Sequence, residues 1–211
     1  MALLHSATLI PSKIEVLNAW IPNQSWYLDA DVSSLEIVGA YRFDDPDDDV
    51  GIETHLVLCA NGRVLQVPLT YRGAPLDGDE SSLITTMQHS VLGKRWIYDG
   101  CGDPVYAAAL ARTIVTGANQ AELFVATDEG PVKREATTMV RGTGSHEDPV
   151  PGLGPVSYTN QGGTTIISTG ELELTLLRVI GLANASDFDE TLSGTWPGSD
   201  EPSLLAGVRT I

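Results

Sequence analysis

Residues 94–117 constrain the fold most, because they combine a strand, a tight break and a helix in one short stretch. Residues 94–98 are aromatic and β-branched, which is typical of a strand, and two glycines then interrupt it. Asp103 has the position of a helix N-cap, with Pro104 at the first helical position and Gly117 at the end. The sequence therefore predicts a strand that leads directly into an amphipathic helix.

A second local signal is the pair Asn61-Gly62 between two alternating apolar runs. Asn-Gly is favoured in two-residue type I′ turns, so we expect a hairpin with a fixed register. His55 would then lie opposite Pro68 as a partly exposed strand residue, and Pro68 would mark an edge or a bulge. The pairs expected together on the other face are Leu58 with Leu65, Leu56 with Val67, Thr54 with Leu69 and Ile52 with Tyr71.

Weaker signals place the first helix and the first long strand. Ser12 and Glu15 form a capping-box pattern, which predicts a short helix that Pro22 ends. Alternation with a period of two begins at residue 35 and predicts a half-buried strand. The residues expected on its buried face are Leu35, Ile37, Tyr41 and Phe43.

The second half of the chain reads mainly as hairpins and loops. Residues 121–127 with 132–140, and 164–168 with 172–180, are predicted strand pairs. We expect an irregular loop over 142–163 and a loop-like tail over 184–203, in which Trp196 is the only large anchor. A mostly antiparallel sheet built from hairpins and packed with two main helices is an α+β fold.

Residues 44–49 form an acidic loop that resembles a calcium site only in composition. An EF-hand loop needs Gly at its sixth position and Glu at its twelfth. Counted from Asp45, those positions hold Val50 and Leu56, so a solvated hairpin loop is predicted. We expect no metal and no cofactor, since zinc-site spacing is also missing from the four histidines, His5, His55, His89 and His146.

The charge and the apolar pattern exclude two classes of partner. The net charge is −16 and is spread along the chain, so the surface repels nucleic acid and anionic lipid. No apolar run approaches the ~18 residues of a membrane span. Lys13 and Glu15 interrupt any signal-peptide pattern, and we expect a cytoplasmic protein whose two cysteines are reduced thiols.

Several motifs resemble the N-terminal cap domain of actinobacterial maltokinases and of stand-alone cap-like proteins. The main one has the pattern Trp-x-Tyr-Asp-Gly-x-x-Asp-Pro-Val-Tyr, and others occur at 41–43, 51–53, 66–73 and 90–93. The residues that match the main pattern are Trp96, Tyr98, Asp99, Gly100, Asp103, Pro104, Val105 and Tyr106.

This resemblance implies a curved antiparallel sheet and no reaction of its own. In those maltokinases the cap precedes a kinase and packs near its N-lobe, while the phosphotransfer residues lie in later lobes. The resemblance gives a cap-like domain over residues 1–120 and a hairpin-rich extension over 121–211 that continues the same core. The only His-x-Asp sequence, at 146–148, has Leu153 where a kinase carries its metal-binding Asn. We therefore expect no catalytic residues and no enzyme activity.

Two hypotheses about function follow. The first is a non-catalytic accessory module that binds a separately encoded kinase or enzyme of α-glucan, maltose or trehalose metabolism, through an apolar patch at the sheet edge or beside Trp20 and Trp26. A homo-oligomer is also compatible with such a patch. The alternative is a sugar-like small-molecule binder or enzyme, whose pocket would be lined by Trp96, Tyr98, Asp99 and Asp103, with Tyr106 nearby.

A structural role competes with each set of candidates. A tryptophan pair is more often core or a domain seam than a ligand platform. For the two aspartates, helix capping by Asp103 and a hydrogen bond from the loop amides to Asp99 are the competing explanation.

Overall fold

The computed structural model describes residues 2–4, 6–28, 35–127, 129–150 and 152–211. The two α-helices within them are α1, Lys13–Trp20, and α2, Pro104–Val115. The strands are β1 Ala2–Leu4, β2 Leu9–Ile10, β3 Leu35–Phe43, β4 Val50–Cys59, β5 Val64–Arg72, β6 Leu83–His89, β7 Gly93–Asp99, β8 Leu123–Thr127, β9 Gly130–Arg134, β10 Met139–Gly142, β11 Ser157–Gln161, β12 Thr164–Ser168, β13 Leu172–Leu177, β14 Glu190–Trp196 and β15 Ser199–Thr210.

These strands form three sheets. The central sheet has the order β2-β6-β7-β5-β4-β3, and the C-terminal sheet has the order β10-β14-β15-β13-β12-β11. A small sheet, β1-β8-β9, contains a parallel pair, β1 with β8, whereas the pairs of the two large sheets are antiparallel. The prediction of an α+β fold with a mostly antiparallel sheet and two helices is confirmed.

Helix α2 lies in the core between the two large sheets. Its N-cap Asp103 accepts a hydrogen bond from the Val105 amide at 3.0 Å, and Pro104 takes the first position, as predicted. Gly117 follows the last turn with φ +63°, a conformation that favours glycine. The core around α2 combines Leu110 of the helix with apolar side chains from both large sheets, among them Tyr41, Ile52, Leu174 and Leu205.

Helix α1 covers part of the opposite face of the central sheet. The Glu15 carboxylate accepts from the Ser12 amide at 2.8 Å, as the capping-box pattern predicts. Leu17 and Ile21 are fully buried, in a second core with Val57 and Leu65 of the central sheet. The central sheet is therefore covered on both faces, but α1 covers only one part of its face.

The prediction that β3 keeps one alternating face is wrong. The pairing of β3 with β4 shifts between Ile37 and Gly39, and such a bulge reverses which side the following residues face. Ile37 packs on the α1 side, whereas Tyr41 and Phe43 pack on the α2 side. The bulge lies where the Ala40 amide donates to the Thr138 hydroxyl at 3.1 Å.

The predicted register of the Asn61-Gly62 hairpin is also wrong, by one residue. The turn has three residues instead of two: the Gly62 amide donates to the Cys59 carbonyl at 2.9 Å, and the Cys59 amide donates to the Arg63 carbonyl at 2.8 Å. A type I′ turn needs positive φ at both central residues, but Gly62, at +85°, supplies the only one in this turn. The observed pairs include Leu58 with Val64, Leu56 with Gln66, Thr54 with Pro68 and Ile52 with Thr70.

This slip changes the environment of His55. His55 lies opposite Val67 and is only 2% exposed, so the expectation of a partly exposed strand residue is wrong. Pro68 lies at neither an edge nor a bulge: β5 pairs with β7 from Leu69 onwards and bonds residues 178–180 before Pro68, so this proline, which has no amide donor, lies between two partners.

The C-terminal tail is the largest departure from the sequence prediction. Residues 190–210 are not loop, because β14 and β15 lie at the middle of the C-terminal sheet. Gly198, at φ +90°, makes the turn between them. Leu192 and Trp196 are buried at alternate positions, a strand signal that the polar composition hides.

The remaining predictions for the second half hold in part. β12 and β13 form the predicted strand pair, and β8 and β9 form a hairpin whose turn residue Asp128 lies outside the described residues. The expected strand 132–140 is divided, since β9 ends at Arg134 and β10 belongs to the C-terminal sheet. The expected irregular region 142–163 contains β11. No helix in the described part of the chain is long and apolar enough to cross a membrane.

Candidate functional site

Asp99 forms a buried ion pair across the two large sheets. Its carboxylate accepts from the Arg178 guanidinium at 2.7 and 2.6 Å, and from the Cys101 amide at 3.2 Å. Arg178 follows β13 and is fully buried, and its Nε also donates to the Thr165 hydroxyl at 2.8 Å. The Cys101 amide is the loop donor predicted for Asp99. Arg178 could not be predicted as a partner, because it is distant from Asp99 in the sequence.

Asp103 is also fully buried and has a different arginine. Arg72 donates to its two oxygens at 2.7 and 2.6 Å, and the Thr70 hydroxyl donates at 2.7 Å. With the Val105 amide, Asp103 accepts four hydrogen bonds, as a buried carboxylate requires. Both aspartates thus have structural partners, and a ligand-binding role for them stays a prediction.

The aromatic candidates near these aspartates are dispersed. Trp96 is half-buried under the Lys94 ammonium, which lies 4.6 Å from the ring centroid. Tyr98 is buried and its hydroxyl accepts from the Leu76 amide at 2.8 Å, while Tyr106 is fully buried in α2. Neither of the two clefts is lined by these residues, so the structure does not gather the aromatic candidates around a cleft.

Trp20 and Trp26 pack on each other in an edge-to-face pair, with ring centroids 5.7 Å apart. Trp26 is fully buried, and the Arg178 guanidinium lies 4.8 Å from its ring centroid. Trp26 therefore lies at a seam between the α1 core and the segment after β13. Trp20 is half-buried, so the pair offers little apolar surface to a partner.

An open cleft of about 390 Å³ lies beside α1, on the part of the central sheet that this helix leaves uncovered. Its lining is bipolar: Lys13, Arg42 and Arg95 supply positive charge, and the acidic loop 44–49 supplies negative charge. Tyr71 and Gly51 lie opposite each other on adjacent strands and also line it.

Glu53 is the buried carboxylate next to this cleft. Lys13 donates to it in a short hydrogen bond, and the Arg42 guanidinium nitrogen lies 3.3 Å from the same oxygen. His55 Nε2 lies 3.5 Å from that oxygen and 3.3 Å from the Tyr71 hydroxyl. The single negative charge of Glu53 is therefore shared by two positive side chains, Lys13 and Arg42. This cluster beside the cleft has a net charge of +1 when His55 is neutral.

The two buried titratable groups respond to this environment in different ways. Burial lowers the pKa of His55 to about 4, with Lys13 and Arg42 acting in the same direction and the negative charge of Glu53 opposing them. Burial alone would raise the pKa of Glu53, but the positive charges of protonated His55, Arg42 and Lys13 together hold it well below its ordinary value. At neutral pH, His55 is therefore neutral and Glu53 is ionised.

The acidic wall is held in place by its own backbone. The Asp45 carboxylate accepts from the amides of Asp47, Asp49 and Val50 at 3.2, 3.1 and 2.9 Å. Asp48 adopts φ +59°, which turns the chain tightly. In the described ranges, no group of three or more His, Cys, Asp or Glu residues is arranged to hold a metal ion.

Sequence reasoning did not identify this cleft. A usable signal was present, because Glu53 and His55 place polar side chains at alternate positions of an otherwise apolar strand. Their partners Lys13 and Arg42 are distant in sequence, so the cluster itself needed the fold.

An exposed apolar group lies at the adjacent edge of the central sheet. Ile10 on β2 and two residues in the turn between β6 and β7, Val91 and Leu92, are exposed apolar residues at this edge, and we call them together the edge patch. The Ser90 amide donates to the Thr8 carbonyl at 3.0 Å and holds the two segments together. The partner-binding role expected for an apolar surface at the sheet edge stays a prediction.

These features define a class: an α+β protein in which two antiparallel sheets enclose a helix and one sheet carries an open, charged cleft. Residues 20–103, 84 of the 211 residues, match the family model of the maltokinase N-terminal cap domain. The match runs from the last residue of α1 to the N-cap of α2, and it confirms the resemblance drawn from the sequence motifs. No curated protein matches the chain.

Proposed function

We propose that this chain is a non-catalytic, cap-like interaction module for a kinase or another enzyme of α-glucan, maltose or trehalose metabolism that is encoded separately. The observation that carries the proposal is the match of residues 20–103 to a domain that is named for its place at the N-terminus of maltokinases. A cap of that kind acts through contact with other protein surface.

The edge patch is the surface best suited to that contact. Val91 is 56% exposed, and Ile10, on the short edge strand β2, is 66% exposed. Apolar side chains gathered at a sheet edge are typical of a protein interface. The Trp20–Trp26 pair does not serve this purpose, because Trp26 is in the core.

Calorimetric titration of the purified chain against maltokinase-type kinases and glucan enzymes from the same genome tests the proposal. We expect one of them to bind, and Val91→Asp to weaken that binding at least tenfold. Val132→Asp is the matched control, because Val132 is also 56% exposed but lies on β9 of the small sheet.

Three results would count against the proposal. Binding that Val91→Asp leaves unchanged removes the edge patch from the interface. Self-association that Val91→Asp abolishes assigns the patch to a second copy of the chain. Turnover of a sugar or a nucleotide by the chain alone contradicts the non-catalytic role.

A further inference from the structure

The cleft beside α1 contains a guanidinium, that of Arg95, with hydrogen-bond donors that have no partner in the described part of the chain. Arg95 donates from one terminal nitrogen to the Leu92 carbonyl at 2.6 Å, but its Nε is shielded from solvent and has no hydrogen-bond partner. No carboxylate among the described residues pairs with Arg95. The second terminal nitrogen, Nη1, makes no hydrogen bond among the described residues, so the guanidinium can donate to a ligand carboxylate from that nitrogen.

The acidic loop 44–49, on the other side of the cleft, contains carboxylates that accept no hydrogen bond from the described residues. Asp45 is occupied by three loop amides, whereas the side chains of Asp48 and Asp49 make no hydrogen bond or ion pair within the described ranges. Both are exposed and line the cleft. The net charge of −16 also draws cations towards the protein.

The space between the walls fits a small molecule. Gly51 leaves its side-chain position empty above the floor, where a Cβ would lie 3.5 Å from the Tyr71 Cβ, an ordinary contact. Leu9, Met87 and Leu92 add apolar lining. A volume of about 390 Å³ is at the small end of the range for ligand pockets.

A ligand with a single charge would face one wall of like charge, but a ligand with both charges would satisfy both walls. We propose that this cleft binds a small zwitterion of amino-acid to dipeptide size, with its carboxylate at Arg95 and its ammonium group at Asp48 and Asp49. This inference can be tested apart from the proposed partner, because Leu92 lines the cleft but the other edge-patch residues, Ile10 and Val91, do not.

The test is a calorimetric titration with leucine and with the dipeptides Gly-Leu and Leu-Gly, each free, N-acetylated and C-amidated. Each cap removes one charge; the amide keeps the size of the ligand, whereas the acetyl group enlarges it. We expect a free zwitterion to bind and either cap to weaken binding at least tenfold. Arg95→Gln should remove the effect of the C-terminal amide, and Asp48→Asn with Asp49→Asn should remove the effect of the acetyl group.

Two further variants separate occupancy of the cleft from damage to the fold. Gly51→Leu fills the floor at a position with ordinary backbone and should abolish binding, whereas Gly152→Leu, where a side chain meets nothing within 4 Å, should leave it unchanged. Val91→Asp should also leave zwitterion binding unchanged, so a failure of the partner proposal does not affect this one.

Three outcomes would overturn the inference. These are no binding of any free zwitterion to the folded wild-type chain, equal binding of free and capped ligands, and binding of neutral maltose with none of the zwitterions. Binding that survives Gly51→Leu would also place the ligand elsewhere.

Discussion

Two buried carboxylates, Asp99 and Glu53, lie on the same sheet and serve different purposes. Asp99 is matched by one guanidinium, that of Arg178, which is wholly buried. Glu53 is shared by Lys13 and Arg42, whose side chains remain 27% and 19% exposed at the cleft. The closed pair joins two sheets, while the open cluster keeps an excess cation beside solvent. In this chain, a carboxylate whose charge is fully balanced has a structural role, whereas the cluster with an unbalanced positive charge is the candidate for ligand binding.

The largest expected effect is at the closed pair. Arg178→Met leaves the Asp99 carboxylate buried without its cation, which should lower the free energy of unfolding by about 3–5 kcal/mol. Urea denaturation followed by circular dichroism measures this. Adding Asp99→Asn to the same chain should restore part of the loss, and a loss below about 1 kcal/mol would show that the pair does not hold the sheets together.

The next effect is a pH dependence that comes from His55. Its pKa is about 4 in the folded chain and near 6.5 when unfolded, so the unfolded chain binds more protons between these values. Stability should be complete above pH 6.5 and decline as the pH falls through this window, by about 2 kcal/mol between pH 7 and pH 5. The pKa of Glu53 is lowered as well, but its contribution declines only below its ordinary value of 4.5.

The matched control for this titration is His55→Gln, in which no imidazole titrates. Denaturation midpoints of this variant should be nearly flat from pH 7 to pH 5. An unchanged slope would assign the pH dependence to another group.

A smaller effect is expected at the open cluster. Glu53→Gln removes the shared carboxylate, but Lys13 and Arg42 can turn towards water, so we expect a loss of about 1.5 kcal/mol in the free energy of unfolding. The same denaturation series measures it. A loss as large as that of Arg178→Met would show that the two carboxylates are equivalent.

The smallest effect is expected at an exposed pair. Lys133 and Glu122 form an ion pair with both side chains more than half exposed. Lys133→Ala should leave the denaturation midpoint unchanged, because solvent already screens these charges. A measurable shift would mean that charge alone, and not burial, governs the other effects.

Local signals in the sequence were enough for several elements. The N-cap at Asp103, the end of α2 at Gly117 and the reach of Glu15 back to Ser12 each depend on residues within one turn of one another. The family motifs, which lie between residues 41 and 106, also predicted the family that matches residues 20–103. Neighbouring residues decide such features, so one sequence reveals them.

The errors arose where distant residues decide. The bulge in β3 contacts Thr138, almost a hundred positions away, and β14 is a strand because β15 and β10 pair with it on either side. The hairpin register changed because Asn61 did not take positive φ, which composition cannot show. The cleft depends on Lys13, Arg42 and Glu53 meeting, and no spacing along the chain connects them.

The hydrogen bonds of Gln66 limit how the family-matched segment can be separated from the rest of the chain. Its buried side-chain amide donates to the carbonyls of Leu177 and Leu205, at 3.1 and 2.8 Å, and accepts from the Tyr41 hydroxyl at 2.7 Å. A fragment that stops near residue 120 would lack both carbonyls as well as Arg178. A transplant of residues 20–103 must therefore supply two hydrogen-bond acceptors for Gln66 and a cation for Asp99, or these two groups will lose the partners that they have in this protein.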